Sequence, residues 1–242
     1  MAKKNVRENE RRAVAEQLRK QQQRKERQRS LLILGACVVL VVGLLAAALV
    51  PYIKNLRQEK KIAGTPIAEL GVKASAAGCD PVQKKKATGN QQHLPEGQAI
   101  PYTDAPPAFG PHWGNFLQGS EIRPMYTPTD RPPLERLVHS LEHGHTLLWY
   151  DDTVKPGTKS YTAIKAMADK LGTASYFMVV PWTKADENGK SFPSGKHLAL
   201  THWTGPSSEQ GVTEYCSAAS GAVVKSFMTD YPTNDAPEPG GV

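Results

Sequence analysis

The alternation of apolar and polar positions is interrupted by a single unbroken apolar run. Residues 31–50 read LLILGACVVLVVGLLAAALV and contain no charge, no amide side chain and no proline. A helix rises about 1.5 Å per residue, so this run covers roughly 30 Å, the thickness of the hydrocarbon layer of a bilayer. The rest of the chain offers no apolar surface able to surround such a helix. We therefore predict a transmembrane helix at residues 31–50.

Beyond residue 133 the apolar positions recur with the periods of helices and strands. The pattern predicts helices at 134–143, 159–171 and 222–231, and strands at 146–150, 176–180 and 197–204. The strand–helix–strand portion implies a right-handed parallel pair, next to which the last strand can lie antiparallel. We expect an α+β domain with a small mixed sheet and about three helices.

The remaining segments lack a sustained period. Residues 51–77 mix charges with Gly and Pro and are predicted to form a stalk. The folded domain is expected at 78–231. Its first part is proline-rich, with an exposed basic loop at 84–86 and an ordered Pro/Gly loop at 105–114. The tail, 232–242, is expected to be flexible.

Charge is concentrated in the N-terminal tail, residues 1–30. Residues 1–29 hold 11 Lys or Arg and four Glu, whereas the remainder of the chain is balanced. The folded part is therefore not expected to bind nucleic acid. A basic flank beside one apolar span predicts a cytoplasmic N-terminus, a plasma-membrane location and an extracytoplasmic C-terminal domain. The bilayer is then the first expected partner, and a protein of the cell envelope is a second.

The apolar run has two alternative interpretations, a cleavable signal peptide and a lipoprotein signal. A cleavable signal peptide has a shorter apolar region, but the small residues Ala46 and Ala48 leave cleavage open. The sequence before Cys37 resembles a lipoprotein signal. Lipidation there would leave a strongly apolar N-terminus, so Cys37 is interpreted as a small residue within the membrane helix.

The exported part contains two cysteines, Cys79 and Cys216. A pair of cysteines in an oxidising compartment is a candidate disulfide. The alternatives are two reduced buried thiols or one reactive thiol. We expect the disulfide, mainly because of the compartment.

The strongest chemical signal is the sequence His139-Ser140-Leu141-Glu142-His143-Gly144-His145. Imidazoles one helical turn apart share a face and suit a divalent transition metal such as zinc or copper. The candidate ligands are His112, His139, Glu142, His143 and His145.

The spacing His139-x-x-Glu142-His143 also matches the inverted zinc-peptidase motif, in which Glu142 would activate water. No catalytic residue is otherwise expected, because the sequence has no G-x-S-x-G motif, phosphate-binding glycine loop or Cys-x-x-Cys. A structural role is the alternative: histidines at a helix C-terminus interact favourably with its dipole.

Several stretches together resemble a bacterial family, the domain of unknown function catalogued under the number 3105. They are Gly78-Cys79-Asp80, the turn after His93, Pro106 to Trp113, Val138 to Gly144, and Leu198 to Trp203. Ala108 and Phe109 depart from the usual Thr-Ser of the family. The resemblance covers about residues 78–231 and implies one N-terminal membrane segment. It implies no activity.

Three functions are consistent with these observations. The first is a single-pass membrane protein whose extracytoplasmic domain binds a metal or a partner without catalysis. The second is an extracytoplasmic metal-dependent hydrolase that uses His139, Glu142 and His143. The third is a purely structural protein of the cell envelope.

Overall fold

A computed structural model describes residues 2–87, 92–186, 190–205 and 209–240. The chain forms two compact units, 1–60 and 61–242. The first unit is helical throughout its described length. The second contains the sheet, the remaining helices and the candidate site.

Helix α1 (Ala2–Gly64) contains the apolar run. Within it, Glu16–Lys54 is long and apolar enough to cross a membrane. The apolar side chains are exposed, and Leu32, Val39 and Leu44 each have more than two-thirds of their surface accessible. The helix is longer than the predicted span and continues through Pro51 into the predicted stalk.

The second unit is built on a mixed five-stranded sheet. Its strands are β1 (Gln83–Lys86), β4 (Thr146–Tyr150), β5 (Phe177–Pro181), β6 (Leu198–Thr204) and β7 (Gln210–Cys216), in the order β1-β7-β6-β4-β5. Strands β4 and β5 are parallel, and the other neighbours are antiparallel. Two short strands, β2 (His93–Leu94) and β3 (His112–Trp113), form a separate parallel pair.

Helices cover both faces of the sheet, and side chains along each strand alternate between two cores. Leu148 of β4 lies in the core with α3 (Lys159–Leu171) and α4 (Gly221–Asp230). Its neighbours Leu147 and Trp149 lie in the core with α2 (Leu134–Glu142). Burial on both faces explains why β4 reads as a continuous apolar run.

The α+β class and the mixed sheet are confirmed. The three helices and three strands predicted after residue 133 are present with bounds within one residue of those expected. Two strands of the sheet were not predicted. Strand β1 is a basic edge strand whose four residues are exposed, and β7 mixes buried and half-buried positions, so neither has a clean apolar pattern.

The start of the folded unit differs from the predicted stalk at 51–77. Leu70 and Ala77 are buried, and Gly71 forms an isolated antiparallel bridge with Ser220. A Cβ on Gly221 would lie 1.8 Å from the carbonyl oxygen of Ile67, so α4 begins in direct backbone contact with this segment. Small residues allow this approach and carry little apolar signal, which is why the sequence reads as a linker.

The predicted disulfide is present. Cys79 and Cys216 are bonded across a sequence separation of 137 residues. The bond joins the segment that enters the sheet to the end of β7.

The C-terminal tail, predicted to be flexible, lies against the domain as far as it is described. We call residues 232–240 the C-terminal strap. Ala236 is fully buried, and the backbone N–H of Gly205 donates to the carbonyl of Asp235. The N–H of Glu238 donates to the carbonyl of Glu142 at 3.0 Å. These are mainly backbone contacts, to which the identity of the side chain gives little clue.

Candidate metal centre

Three histidines from three elements meet at the end of α2. His93 of β2 stands opposite His112 of β3 in the parallel register, so their rings are neighbours. The ring centroids are 4.8 Å apart. His139, in the last turn of α2, completes the group, with its centroid 4.5 Å from that of His112 and 4.9 Å from that of His93.

Glu142 lies between these rings because it follows His139 by three residues on the same face of α2. Its Oε2 atom is 2.9 Å from Nε2 of His112, 3.5 Å from Nε2 of His93 and 3.8 Å from Nε2 of His139. One ligand atom from each of the four residues lies within 4.8 Å of all the others. Tetrahedral zinc with nitrogen and oxygen ligands needs ligand separations of about 3.3 Å, so these distances require little rearrangement.

The backbone fixes the direction of the buried rings. Nδ1 of His112 donates to the carbonyl of Gly110 at 2.9 Å, and Nδ1 of His139 donates to that of Trp113 at 2.6 Å. A carbonyl oxygen can only accept, so each Nδ1 carries a proton and the neutral ring keeps a lone pair on Nε2. This outer hydrogen bond is the usual arrangement behind a metal-bound histidine.

The buried polar atoms at the centre lack hydrogen bonds. His112 Nε2 and Glu142 Oε2 are 2.9 Å apart, yet neither atom has a hydrogen-bond partner among the described residues, and the same holds for Glu142 Oε1. Both side chains are fully buried. Unpaired polar groups in an interior are costly. A cation contacted by both atoms would satisfy them together.

The electrostatics favour an anionic carboxylate beside a neutral imidazole. Burial alone would raise the pKa of Glu142, but the close approach of His112, followed by that of His139 and His93, lowers it overall. Burial, followed by the charge of His112, lowers the pKa of His139 to about 4. These are the protonation states in which both residues can bind a metal.

The site is enclosed on most sides. Trp203 lies edge-on to His112, with centroids 6.0 Å apart, and Phe116 contacts the rings of both His139 and His143. The side chain of His93, by contrast, is 45% exposed. A small molecule or ion can therefore approach from the side of His93.

His143, the C-cap of α2, belongs to an adjoining group. Its ring stacks on that of His139, with centroids 4.8 Å apart, and its Nδ1 donates to the carbonyl of Glu238 at 2.9 Å. Glu142, His143 and Glu238 each offer a ligand atom within 4.8 Å of the other two. Glu142 is thus common to both groups.

His145, predicted as a fifth ligand, is placed elsewhere. Its Nδ1 donates to the carbonyl of Ser140 at 3.0 Å, and its ring lies against Tyr176. Gly144 has a φ of +91°, and after this turn His145 is not a member of either ligand group. His202, which the sequence did not suggest as a ligand, is 3.3 Å through Nδ1 from the carbonyl of His145.

Two members of these groups were missed by the sequence analysis, His93 and Glu238. His93 is brought in by a two-residue strand, and Glu238 by the C-terminal strap. Neither has a local motif. The one available signal for His93 was that its turn is among the stretches that resemble the family.

The fold and site define an α+β domain in which three histidines and a glutamate converge at a helix end. The sequence profile of a family described as "Protein of unknown function (DUF3105)" matches residues 93–242, and the chain belongs to that family. The match includes every member of the two ligand groups and excludes Cys79. No curated protein matches the chain. No solved structure matches it either.

Proposed function

We propose that the domain binds a divalent transition metal ion through His93, His112, His139 and Glu142, without catalysing a reaction. The observation that carries this proposal is the convergence of three imidazole Nε2 atoms on one buried carboxylate oxygen, all within 4.8 Å. The Nδ1 atoms of His112 and His139 are already bound to backbone carbonyls, so the ligands are preoriented.

The ligand set indicates zinc or copper. Imidazole suits zinc, copper, iron and nickel, and a single carboxylate completes a four-coordinate site. Calcium and magnesium require mainly oxygen ligands, which this group does not supply. Four protein ligands are typical of zinc sites that serve structure or storage.

The geometry argues against the inverted peptidase interpretation as the primary function. In that motif two histidines of one helix hold the metal and the glutamate acts on water. Here Glu142 lies within contact distance of the histidine Nε2 atoms, as a ligand would. Helix α2 also ends at Glu142, whereas that motif normally lies within a long helix.

We further propose that α1 anchors the domain to the outer face of the plasma membrane. The apolar side chains of residues 31–50 in α1 are exposed, so a bilayer is the partner that would bury them. The basic tail favours a cytoplasmic N-terminus. The disulfide between Cys79 and Cys216 supports an oxidising compartment for the domain, where a protein of the cell envelope could be its partner.

Elemental analysis of the full-length chain in detergent micelles tests metal binding. We expect stoichiometric zinc or copper in the wild type and its loss in His112→Ala, which removes a fully buried ligand. His197→Ala is the matched control, because His197 pairs with Asp151 outside the site. Wild-type protein that stays metal-free after incubation with either ion would overturn the proposal.

A metal-dependent hydrolase is the second candidate, favoured by the exposure of His93. Because that side of the cluster meets solvent, water and a substrate could reach a bound ion. This function predicts that zinc-loaded protein cleaves peptides or esters. Glu142→Asp keeps the carboxylate on a shorter side chain, and it should lower the rate of cleavage more than it lowers the zinc content. Equal losses of zinc and rate would assign Glu142 to metal binding alone.

A further inference from the structure

The group formed by Glu142, His143 and Glu238 adjoins the proposed metal site without being part of it. One ligand atom from each residue lies within 4.8 Å of the other two. The carboxylate of Glu142 has two oxygens, and Oε2 is the one that contacts His93 and His112. Oε1 is therefore available to a second ion.

Buried atoms of this group also lack partners. Nε2 of His143 and Oε1 of Glu142 have no hydrogen-bond partner among the described residues. The exposed fraction of His143 is 6% and that of Glu142 is zero. Since the Nδ1 proton of His143 is donated to Glu238, its neutral ring presents a lone pair on Nε2. An unpaired lone pair beside an anionic carboxylate suits a cation and not a hydrogen-bond acceptor.

The backbone of Glu238, in the C-terminal strap, makes two hydrogen bonds that hold this residue beside Glu142 and His143. The N–H of Glu238 donates to the carbonyl of Glu142, and the carbonyl of Glu238 accepts from His143. The backbone of Glu238 thus fixes both residues while its carboxylate, which is exposed, completes the group. The strap is itself held by the burial of Ala236.

We infer that the domain holds a second divalent metal ion, bound by Glu142, His143 and Glu238, and that Glu142 bridges the two ions. This inference rests on the proposed function, because it shares Glu142 with the first site. Carboxylate-bridged pairs are a known arrangement, with the two ions about 3.5–4 Å apart. Three protein ligands leave at least one coordination position for water, so the second ion exchanges more readily than the first.

Zinc titration of the metal-stripped full-length chain in detergent, followed by dialysis and elemental analysis, tests the inference. We expect about two zinc ions per wild-type chain. Glu238→Gln should hold about one, because the amide keeps the size of the side chain and removes its charge. Glu96→Gln, a change at an exposed glutamate in a turn, is the matched control and should hold about two.

Copper(II) electron paramagnetic resonance gives an independent readout. Two bridged copper ions interact magnetically, whereas one ion gives an isolated signal. We expect the coupled signal in the wild type and an isolated signal in both Glu238→Gln and His143→Gln. The use of two variants at different positions guards against a folding defect in either one.

The outcomes separate the two proposals. One zinc ion in the wild type, unchanged in Glu238→Gln, would overturn the second site and leave the first intact. Two ions in both proteins would also overturn it, because Glu238 would not be a ligand. No zinc in the wild type would overturn both proposals.

Discussion

Glu142 is the residue that distinguishes the proposed metal binding most clearly from the purely structural role that the sequence left open. It is fully buried, and neither of its carboxylate oxygens has a hydrogen-bond partner among the described residues. A carboxylate retained for stability would be expected to make good hydrogen bonds, each worth about 1.5–3 kcal/mol when one group is charged. This geometry supports the proposed role of Glu142 as a metal ligand.

We predict that Glu142→Gln abolishes stabilisation by metal without destabilising the metal-free protein. A ligand at 1,000 times its Kd stabilises a fold by about 4 kcal/mol. The variant should lose this increment, while its free energy of unfolding in EDTA stays within about 1 kcal/mol of that of the wild type. Denaturant unfolding with and without zinc measures both quantities. A loss of about 3 kcal/mol in EDTA would instead indicate a structural cluster.

Because His202 is buried, we predict that the free energy of unfolding decreases as the pH is lowered. Burial lowers the pKa of His202 from 6.5 to about 4. Because the unfolded chain takes up the proton first, the contribution of neutral His202 is complete above pH 6.5 and is lost as the pH falls towards 4. Between pH 7 and pH 5 we expect the contribution of His202 to the free energy of unfolding to fall by about 2 kcal/mol.

Urea unfolding of the metal-free protein at pH 7 and pH 5 measures this effect. His202→Asn should show a smaller decrease in stability between the two pH values than the wild type. Some decrease should remain, because burial also lowers the pKa of His145 to about 4. If His202→Asn loses as much stability between pH 7 and pH 5 as the wild type, the lowered pKa of His202 is contradicted.

At the scale of elements, the end of α2 and the C-terminal strap form one unit. Gly144 has a φ of +91°, and a Cβ there would lie 2.6 Å from the carbonyl oxygen of Thr233. Gly157 has nearly the same φ, +93°, but no atom of the described residues lies within 4 Å of its Cβ position. An alanine at either position therefore strains the backbone, but only an alanine at Gly144 would also collide with the strap.

We predict that Gly157→Ala costs about 1 kcal/mol of stability and Gly144→Ala distinctly more, about 3 kcal/mol. The additional cost arises because the strap must move away from the helix end. Protease cleavage within 232–240 should accordingly be faster in Gly144→Ala than in Gly157→Ala. Equal stabilities and equal cleavage rates in the two variants would show that the strap does not pack on Gly144.

The sequence predicted those elements whose packing produces a regular repeat of apolar residues. Leu147 and Leu148 of β4 lie in different cores, and α3 buries one face around Ile164 and Met167, so both elements carry an apolar signal. Strand β1 pairs with β7 through its backbone, and its lysines are exposed. Such pairing has no signature in the side-chain pattern.

The same distinction applies to the site. His139 and Glu142 were identified because helical spacing puts them on one face, and His112 because it lies in an ordered loop. His93 depends on a parallel pair of two-residue strands, and Glu238 on backbone hydrogen bonds from the strap. Those contacts form only in the folded chain, so local spacing gives no indication of them.

At the scale of the whole molecule, one chain carries an exposed apolar helix and a disulfide-bonded domain. Protease added to intact spheroplasts should digest residues 61–242 and spare the N-terminal tail. The physical reason is that the basic residues before the apolar run are retained on the cytoplasmic side. Inverted membrane vesicles are the control and should show the opposite protection. A domain that is protected in spheroplasts would contradict the proposed orientation.

The first proposed metal ion lies among His93, His112, His139 and Glu142. X-ray absorption spectroscopy of the metal-loaded full-length chain tests this placement, because it reports the atoms bound to the ion. With one zinc ion loaded per chain, we predict nitrogen and oxygen ligands at about 2.0–2.1 Å, with outer scattering from about three imidazoles that decreases in His112→Ala. Sulfur at about 2.3 Å, or no imidazole scattering, would contradict the account.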